Sequence, residues 1–433
     1  MKSLCNLTRY KGSVFLKLLW ICNSLLPEAA KQLDIKTSKP ESWISGTYNF
    51  LKQREDIELI YLFPSKIQLA SIKIGNTKFV SYTEKRLLRF EKTQVVELEK
   101  IIKASNPDII HIFGTEYPHT LAAVKAAKNL GMLGKTIINI QGLCSVIAKH
   151  YFSGLDSKTI HSYTFRDLLR HNNIYNQMLD FKHRGKYETE ALKLTKNVIG
   201  RTDWDEACTK RINPNINYHF CNESLRKPFY ENHWDIEECE RHSIFVSQCS
   251  YTIKGFHFML EAMADIIKKY PDAKLYTTGK NPLTLSFKQK LRQGYYNKYL
   301  GKLIKKYHLE NNVEFLGFLN EEKMCKQYLN SHVFVCCSSV ENSPNSLGEA
   351  MILGVPSVSS DVGGVKNLME HGKEGFVYQS DAPYMLSFYI QKIFENDNLA
   401  LKFSKNARLH ASKTHNAQEN FDRLMEIYKE VLE

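Results

Sequence analysis

The sequence contains no CxxC pair, no internal repeat, no low-complexity segment and no long uninterrupted apolar run. Its ten cysteines have no regular spacing, and the adjacent Cys336 and Cys337 lie in an apolar run where successive side chains alternate faces. This usage argues against a zinc site or a disulfide framework and indicates reduced thiols in a cytosolic protein. A hydrophobic content of 43% with 12% aromatic residues excludes general disorder.

The stretch VFLKLLWICNSLL at 14–26 follows three basic residues and imitates a signal peptide. Lys17 and Asn23 interrupt it, and it is shorter than the ~20 apolar residues that a bilayer span requires. We therefore predict a buried first β-strand at 14–22, with a signal peptide as the alternative.

Acidic residues are scarce in only one half of the chain. Residues 1–230 contain 35 Lys and Arg against 21 Asp and Glu, whereas residues 231–433 contain 24 against 25. The formal net charge of +13 therefore arises entirely from the first half. That half is expected to face an anionic partner, such as phosphate groups, a bilayer surface or nucleic acid.

A chain of 433 residues is too long for one core, so two domains of about 200 residues each are expected. Short Val- and Ile-rich runs alternate with stretches of helical period, which is typical of parallel α/β sheets. Strands are predicted at 14–22, 57–63, 108–114, 136–142, 197–202, 242–248, 273–279, 312–319, 332–339, 355–361 and 375–380. A helical insertion is predicted at 151–192, a linker at 221–241 and a closing amphipathic helix at 421–433. Two doubly wound domains in tandem place a ligand in the cleft between them, at the carboxyl ends of the strands.

The loop ENSPNSLGE at 341–349 connects a predicted strand to a predicted helix and has a carboxylate at each end. Asn345 and Ser346 are good N-cap residues, and Pro344 fixes the entry to the helix. The free N–H groups and the dipole at a helix start attract phosphate. An ionised carboxylate accepts hydrogen bonds from two neighbouring hydroxyls, such as those of a ribose. The loop thus offers places for a sugar, a phosphate and a ribose, which indicates a nucleotide sugar.

Glu341, seven residues, Glu349 and the following AMILGVPSVSSDVGGVKNLMEHGKEGFVY resemble the E-x7-E region of retaining glycosyltransferases of family 4. The resemblance implies the GT-B fold, an α/β architecture of two Rossmann-like doubly wound domains facing across a cleft. It also implies that the first Glu binds the transferred sugar and the second the nucleotide ribose, while the backbone of Asn345, Ser346 and Leu347 meets sugar and phosphates. A strand–loop–helix with Glu at a helix start is the alternative interpretation.

On this basis we expect three parts of the chain. Residues 1–230 form an acceptor-binding domain, residues 231–415 a nucleotide-sugar-binding domain, and residues 416–433 a helix that packs back on the first domain. The resemblance is strong for the second half of the chain and looser for the first.

The segment VSQCSYTIKGFHFMLEAM (246–263) resembles the part of these enzymes in which an Arg and a Lys, six residues apart, clamp the diphosphate. Lys254 and Gly255 match the Lys-Gly part, and Lys254 is expected to neutralise charge on the departing nucleotide. Gln248 stands where the family usually has the Arg, so one cation is missing and Ser250 is hypothesised to supply a hydrogen bond. A solvated lysine beside a turn glycine is the alternative.

The first half offers weaker matches at the ends of its predicted strands. Gly46, placed before a predicted helix, resembles the family's glycine loop that lies against the donor phosphates. Gln141 follows a strand where many relatives carry a catalytic-site His, and it can only donate or accept a hydrogen bond there. Glu116 and His119 are candidates for the acceptor side, with a surface Glu and His as the alternative.

Asp203 and Asp205 imitate a metal-binding DxD motif, which belongs to the other transferase fold, GT-A. A helix start with Thr202 or Asp203 as N-cap and acids in its first turn explains them, so we expect no metal. Arg201, just before them at a strand end, is a candidate to reach the donor or the acceptor.

The segment EKRLLRFEK at 84–92 interleaves basic and apolar residues, and on a helix it would suit an anionic lipid surface. A solvated helix is the alternative. Together with the basic first half, it suggests a cytoplasmic protein that sits peripherally on the inner face of a membrane and binds a lipid-linked acceptor.

The sequence therefore predicts a retaining, metal-independent hexosyltransferase that needs no cofactor and uses a nucleotide diphosphate sugar, with UDP expected over GDP. A glycan acceptor is expected, with a role in cell-surface polysaccharide synthesis such as capsule, exopolysaccharide or lipopolysaccharide. The alternatives are a nucleotide-sugar epimerase of the same fold and a basic nucleic-acid-binding protein. The sugar, the linkage and the acceptor stay open.

Overall fold

Two separate β-sheets organise the chain in the computed structural model, which describes residues 16–35, 43–84 and 88–433. The first sheet holds β1 (Leu16–Ile21), β2 (Ile57–Ser65), β3 (Ile72–Ile74), β4 (Thr77–Thr83), β5 (Ile109–Phe113), β6 (Thr136–Asn139), β7 (Asn197–Gly200) and β8 (Asn217–Phe220). The second holds β9 (Glu240–Val246), β10 (Lys274–Thr277), β11 (Val313–Phe315), β12 (Ser331–Cys336), β13 (Ser357–Ser360) and β14 (Phe376–Tyr378).

Strand order identifies both sheets as doubly wound. The first runs β3-β4-β2-β1-β5-β6-β7-β8 and is parallel except for the antiparallel β3–β4 pair at its edge. The second runs β11-β10-β9-β12-β13-β14 with parallel pairs throughout. In both, the chain starts at a central strand, winds to one edge and then to the other, so a crevice opens at the carboxyl ends where the direction reverses.

Helices follow almost every strand, as parallel connections require. In the first part of the chain they are α1 (Pro27–Gln32), α2 (Trp43–Leu51), α3 (Lys92–Ser105), α4 (His119–Asn129), α5 (Cys144–His150), α6 (Ser157–His161), α7 (Phe165–Arg170), α8 (Ile174–Leu194) and α9 (Asp203–Ile212). The remaining helices are α10 (Pro228–Glu231), α11 (Phe256–Lys269), α12 (Phe287–Leu291), α13 (Tyr295–Lys306), α14 (Glu321–Asn330), α15 (Asn345–Leu353), α16 (Val365–Leu368), α17 (Pro383–Phe394), α18 (Asp397–Thr414) and α19 (Ala417–Leu432).

Alternation along β1 shows how the first sheet is buried on both faces. Leu19 and Ile21 point into a core with α3, α4 and α8, whereas Leu18 and Trp20 point into a second core with α2 and α19. The second face is completed by the C-terminal end of the chain. The Tyr428 hydroxyl accepts a hydrogen bond from Trp20 Nε1 at 3.0 Å, so α19 lies on the first sheet although it follows the second in sequence.

The predicted alternation of strands and helices is confirmed, and with it the α/β fold class. Each of the eleven predicted strands has a counterpart, usually shorter by one to four residues because the polar ends belong to loops. The strands β3, β4 and β8 were missed. β3 and β8 are edge strands, and β4 lies beside β3. In all three, exposed or half-buried positions break the apolar run, as in Asn217–Phe220, which has no buried residue.

Three local predictions were wrong. Gly46 lies inside α2, not in a loop before it. A Cβ at this position would overlap the Ser224 hydroxyl, so the glycine lets the helix pack closely against the linker. The N-cap of α15 is Pro344, without a side-chain hydrogen bond, and Asn345 is already the first helical residue.

The basic segment at 84–92 is not a continuous helix. Lys85, Arg86 and Leu87 lie outside the described residues, residues 88–91 form a turn and irregular chain, and α3 begins at Lys92. Phe90 turns inward, where its ring lies 6.0 Å from the Tyr187 ring. Phe90 is thus used for packing within the domain.

Contacts between the two domains are extensive around the helical insertion. The Asp167 carboxylate of α7 accepts a hydrogen bond from the Tyr295 N–H at the start of α13, at 2.8 Å. His257 Nε2 lies 3.0 Å from the Ser153 carbonyl oxygen. Within the part of the chain that the structure describes, no helix is long and apolar enough to cross a membrane.

Candidate active site

The E-x7-E segment lies where the sequence predicts it, and it runs from the loop after β12 into the beginning of α15. The Gly363-Gly364 turn after β13 holds it in place, since the Gly364 N–H donates to the Asn342 carbonyl at 3.0 Å. A Cβ on Gly363, whose φ is +52°, would overlap the Glu341 carbonyl oxygen. Two glycines therefore let the backbone of the loop pack directly on the neighbouring strand end.

Lys254 and Glu341 form an ion pair at the carboxyl edge of the second sheet. Lys254 Nζ lies 2.5 Å from Glu341 Oε1, which also accepts a hydrogen bond from the Ser338 hydroxyl at 2.7 Å. Burial opposes the charge on Lys254, but the adjacent Glu341 carboxylate holds its pKa above the ordinary value. Lys254 is thus held as a cation, and the Glu341 carboxylate is held in one orientation. These two predicted catalytic residues therefore lie in direct contact.

Gly255 fixes the position of Lys254. Its φ of +65° is in the left-handed region, and a Cβ there would overlap the carbonyl oxygen of Cys337. The single turn of 3-10 helix that carries Lys254 therefore packs tightly against the end of β12. Ser250 and Gln248, in the loop after β9, are both exposed to solvent.

Glu349 lies one turn into α15 and is buried, with 6% of its surface exposed. Arg226 in the linker donates to its Oε1 through Nε at 2.9 Å and an Nη at 2.6 Å, and the Tyr328 hydroxyl lies 3.4 Å from Oε2. Burial raises the pKa of this carboxyl, and the Arg226 guanidinium offsets part of that rise. The guanidinium thus favours the ionised form and holds the carboxylate in one orientation.

Four polar side chains connect the first domain to the start of α15. Gln141 donates to Glu223 Oε1 at 2.5 Å, and Arg201 donates to Glu223 Oε2 at 3.0 Å and to Asn345 Oδ1 at 2.9 Å. Arg201 and Glu223 are almost fully buried. Arg201 therefore contacts the start of α15 directly, and Gln141 is connected to Arg201 through the Glu223 carboxylate of the linker.

Asp203 and Asp205 have the helix-start arrangement that the sequence predicts. Thr202 is the N-cap of α9 and accepts from the Asp205 N–H at 3.1 Å, while the Asp205 carboxylate accepts from the Arg201 N–H at 2.8 Å. Among the described residues, no group of three or more His, Cys, Asp or Glu side chains is placed to hold a metal ion.

Glu116 occupies the carboxyl edge of the first sheet, between Gly114 and Gly142. Burial raises the pKa of its carboxyl to about 7, and nearby Glu188 adds to the rise. Glu188 itself is buried and accepts the N–H groups of Cys144 and Ser145 at the start of α5, at 2.6 and 3.1 Å.

His119, the other candidate for the acceptor side, is the first residue of α4 and is only 1% exposed. Its ring lies 6.0 Å from the Tyr82 ring and 6.3 Å from the Tyr117 ring, and burial lowers its pKa to about 4. Only Glu116 of this pair is partly accessible at the edge of the sheet.

Glu223, Arg226 and Ser338 were not singled out from the sequence, although they hold the candidate residues in place. Glu223 and Arg226 lie in a stretch predicted as a linker, where many charges normally indicate exposure. The local sequence around them contains no signal that distinguishes them from the other charged residues of that stretch.

Two Rossmann-like domains of this kind, which face each other across a cleft, form the GT-B fold. The chain superimposes on sucrose-phosphate synthase from Thermosynechococcus elongatus with a TM-score of 0.68, covering 96% of this chain and 99% of that one at 14% identity. It also superimposes on Anabaena Alr3699/HepE in complex with UDP, with a TM-score of 0.64 at 15% identity over 96% of this chain and 100% of the other. At these identities the likeness shows the fold.

Residues 227–410 match the family described as glycosyl transferases group 1. This match, the fold and the named relatives together support a glycosyltransferase. YtcC, a Bacillus subtilis (strain 168) protein named as a glycosyltransferase, is 24% identical over 422 residues, which span 96% of this chain and 93% of YtcC. N-acetyl-alpha-D-glucosaminyl L-malate synthase of Bacillus anthracis is 24% identical over 199 residues, covering 46% of this chain and 48% of that enzyme.

Proposed function

We propose that this glycosyltransferase moves a hexosyl unit from a nucleotide diphosphate sugar to a glycan acceptor, with the anomeric configuration retained and without a metal or other cofactor. UDP is the proposed nucleotide. This choice is supported by Anabaena HepE, a structural neighbour that has been crystallised with UDP-glucose. The proposed acceptor is lipid-linked, and the proposed setting is the synthesis of a cell-surface polysaccharide. The basic first half of the chain supports an anionic acceptor anchor.

The observation that carries this proposal is the Lys254–Glu341 pair beside the start of α15. Lys254 supplies a cation for the diphosphate, and the first N–H groups of α15 at Asn345 and Ser346 lack intrahelical acceptors. Glu341 accepts hydrogen bonds from the hydroxyl groups of the transferred sugar, and Glu349 accepts hydrogen bonds from those of the ribose. An arriving donor places its phosphate beside Lys254 and thereby replaces part of the Lys254–Glu341 contact.

The proposed reaction exchanges one bond for another on the same face of the sugar. The bond from the anomeric carbon to the phosphate oxygen breaks, and a bond from that carbon to the acceptor oxygen forms. The acceptor proton passes to the departing phosphate oxygen, so nucleotide diphosphate leaves with the proton. Lys254 stabilises the charge that develops on the leaving group. Gln141, held by Glu223, hydrogen-bonds near the reacting centre, and Glu116 faces the acceptor side.

A panel of nucleotide sugars, scored by nucleotide release with and without a lipid-linked acceptor, tests the proposal. Lys254→Ala and Glu349→Ala are expected to lower kcat/KM by about two to three orders of magnitude, because each removes a charged partner of the donor. Glu349→Gln keeps the shape and separates loss of charge from loss of packing. Circular dichroism and thermal unfolding verify that each variant is folded.

Lys373 and Glu370 provide a matched control, because they form an exposed ion pair at 3.0 Å on the same domain. Lys373→Ala and Glu370→Ala are expected to leave kcat/KM within twofold of wild type, as solvated pairs contribute little. Wild-type turnover in folded Lys254→Ala or Glu349→Gln would remove that residue from the site.

The same assay separates the two alternative functions. An epimerase would convert the nucleotide sugar to a second nucleotide sugar without releasing nucleotide to an acceptor, which NMR of the donor detects. It would need acid and base groups from both domains, and a glutamine at position 141 argues against that. A nucleic-acid-binding protein would shift labelled RNA or DNA in a gel in a salt-dependent manner. The second half carries the best motif but no basic excess.

A further inference from the structure

Helix α7 in the helical insertion exposes its apolar side to solvent. Phe165, Leu168 and Leu169, spaced i, i+3 and i+4, are 60%, 60% and 66% exposed. The side chain that this helix buries is a charged one, because Asp167 is fully buried and accepts the Tyr295 N–H of the second domain. An ordinary surface helix has the opposite arrangement, with its apolar stripe facing the core.

Helix α12 of the second domain exposes two more apolar side chains. Phe287 is 78% exposed and Leu291, one turn later, is 43% exposed. The chain that leaves α12 reaches α7, because Gly294, three residues after Leu291, lies against the side chains of Arg166 and Asp167. We call this shared surface, made of the exposed sides of α7 and α12, the two-helix patch.

Positive charge is concentrated in the stretch of chain that contains α12. Residues 280–309 contain eight Lys and Arg and no Asp or Glu, although the second half of the chain as a whole has a net charge of −1. On the other helix, Arg170 is exposed at the end of α7. Apolar side chains within a basic rim match a bilayer surface with anionic head groups, where the apolar groups enter the interface and the cations meet phosphate.

We propose that the two-helix patch binds this enzyme to an anionic membrane, with Phe165, Leu168, Leu169 and Phe287 inserting into the interface. The inference deepens the proposed function by giving the lipid-linked acceptor a surface from which it is reached, but membrane binding is measurable without the reaction. Because α7 and α12 belong to different domains joined by the Asp167–Tyr295 hydrogen bond, the membrane contacts both domains at once.

Flotation of the full-length protein with lipid vesicles tests this inference. Wild type is expected to bind vesicles containing about one third phosphatidylglycerol at least tenfold more tightly than pure phosphatidylcholine vesicles, and added salt should weaken the binding. Phe165→Ser combined with Leu168→Ser and Leu169→Ser is expected to reduce binding about tenfold or more. Lys288→Glu combined with Lys290→Glu is expected to abolish the preference for anionic lipid.

Leu401→Ser with Leu409→Ser is the apolar control, because both leucines are exposed on α18, at 47% and 62%. Lys402→Glu with Lys405→Glu is the charge control on the same helix. Both controls should float like wild type. The inference would be overturned if the wild type did not bind anionic vesicles, or if the patch variants floated with them as the wild type does.

Gel filtration coupled to light scattering tests whether a second copy of this chain binds to the two-helix patch. A wild-type dimer that the triple serine variant converts to monomer, without vesicle binding by either, would identify the patch as a self-association surface and overturn the inference. Nucleotide release from a donor and a water-soluble acceptor keeps the two proposals apart. If the patch variants lose flotation but keep this activity, the patch serves membrane binding and not the reaction. If the wild type binds vesicles but shows no activity, the proposed function is wrong while the inference about the patch stands.

Discussion

The Glu116 carboxyl group shows how burial alone sets the chemistry of one position. Its pKa of about 7 means that the folded chain favours the protonated form, whereas an unfolded chain releases the proton near 4.5. The resulting contribution to the free energy of unfolding is complete below about pH 4.5 and is lost as pH rises through about 7. At neutral pH this carboxyl is poised between its two forms at the edge of the cleft.

Glu116→Gln, which cannot ionise, is therefore expected to be more stable than wild type at about pH 8 and nearly equal to it at about pH 5. Urea unfolding followed by fluorescence at several pH values measures this difference. Glu310→Gln, at an exposed position, is the control and should follow the wild-type curve. A constant offset between Glu116→Gln and wild type across the pH range would contradict the raised pKa.

Gly255→Ala is expected to displace the turn that carries Lys254. An alanine there must adopt a left-handed φ and also overlaps the Cys337 carbonyl oxygen, so a loss of more than about 2 kcal/mol in the free energy of unfolding is expected, with a severe loss of turnover. Gly75→Ala is the matched control, because Gly75 has a φ of +59° but no neighbouring atom within 4 Å of an added Cβ. It should lose only about 1 kcal/mol.

Among the secondary-structure elements, α19 is the one whose position sequence order would not suggest. Its Tyr428 hydroxyl accepts from Trp20 Nε1 and lies 2.7 Å from His111 Nδ1, and both partners are buried in the first sheet. The last helix thus supplies part of the first domain's core. Truncation before residue 417 would expose the face of the sheet that contains Trp20.

Tyr428→Phe is expected to lower the free energy of unfolding by about 1–3 kcal/mol, because it leaves buried polar groups of Trp20 and His111 without their partner. Chemical denaturation measures the change. Tyr384→Phe, at a position 64% exposed, should stay within about 0.5 kcal/mol of wild type. Equal effects of the two substitutions would indicate that the Tyr428 hydroxyl contributes no more than a surface hydroxyl.

The strands could be predicted because both faces of a parallel sheet are covered, so a strand such as SHVFVC is buried throughout and has an apolar run at its centre. The same rule fails for β8, which is an edge strand with exposed side chains. Helix starts were predictable where a side chain caps its own helix, as Thr202 does for α9. At α15 the prediction failed because Asn345 is hydrogen-bonded to Arg201, a partner 144 residues away.

The candidate site was predictable to the extent that its residues lie in one local motif. Glu341, Glu349 and Lys254 belong to segments whose spacing is visible in the sequence. Arg226 and Glu223 act through contacts across 123 and 82 residues with Glu349 and Gln141, and nothing local distinguishes them from other charged linker residues. Similarly, the burial of His119 follows from the placement of Tyr82 on another strand, which one-dimensional spacing does not encode.

In the molecule as a whole, the chain passes between the domains twice, and the two connecting segments contact each other. His415, between α18 and α19, lies 2.9 Å through its Nδ1 from the Glu223 carbonyl oxygen in the first crossing. The Tyr230 hydroxyl of that crossing donates to the His415 carbonyl at 2.7 Å. The hinge between the domains is therefore a packed unit that also contains Glu223, the partner of Gln141 and Arg201.

Asp167 forms a second connection between the domains, away from the hinge. It closes the capping box of α7 with Thr164 and accepts the Tyr295 N–H that begins α13. Because the carboxylate lies at the start of two helices from different domains, its removal should weaken both their ends and the coupling between the domains. Asp167→Ala is expected to cost about 1–3 kcal/mol and to separate one unfolding transition into two.

Asn396→Ala is the matched control for that substitution. Asn396 caps α18 by accepting the Leu399 N–H at 3.0 Å, entirely within the second domain. Its loss should cost about 1 kcal/mol while unfolding stays as cooperative as in wild type. Differential scanning calorimetry distinguishes the two cases, and small-angle X-ray scattering should show a larger radius of gyration for Asp167→Ala alone. If both variants kept a single transition and the wild-type radius, the Asp167 contact would not be needed to hold the two domains together.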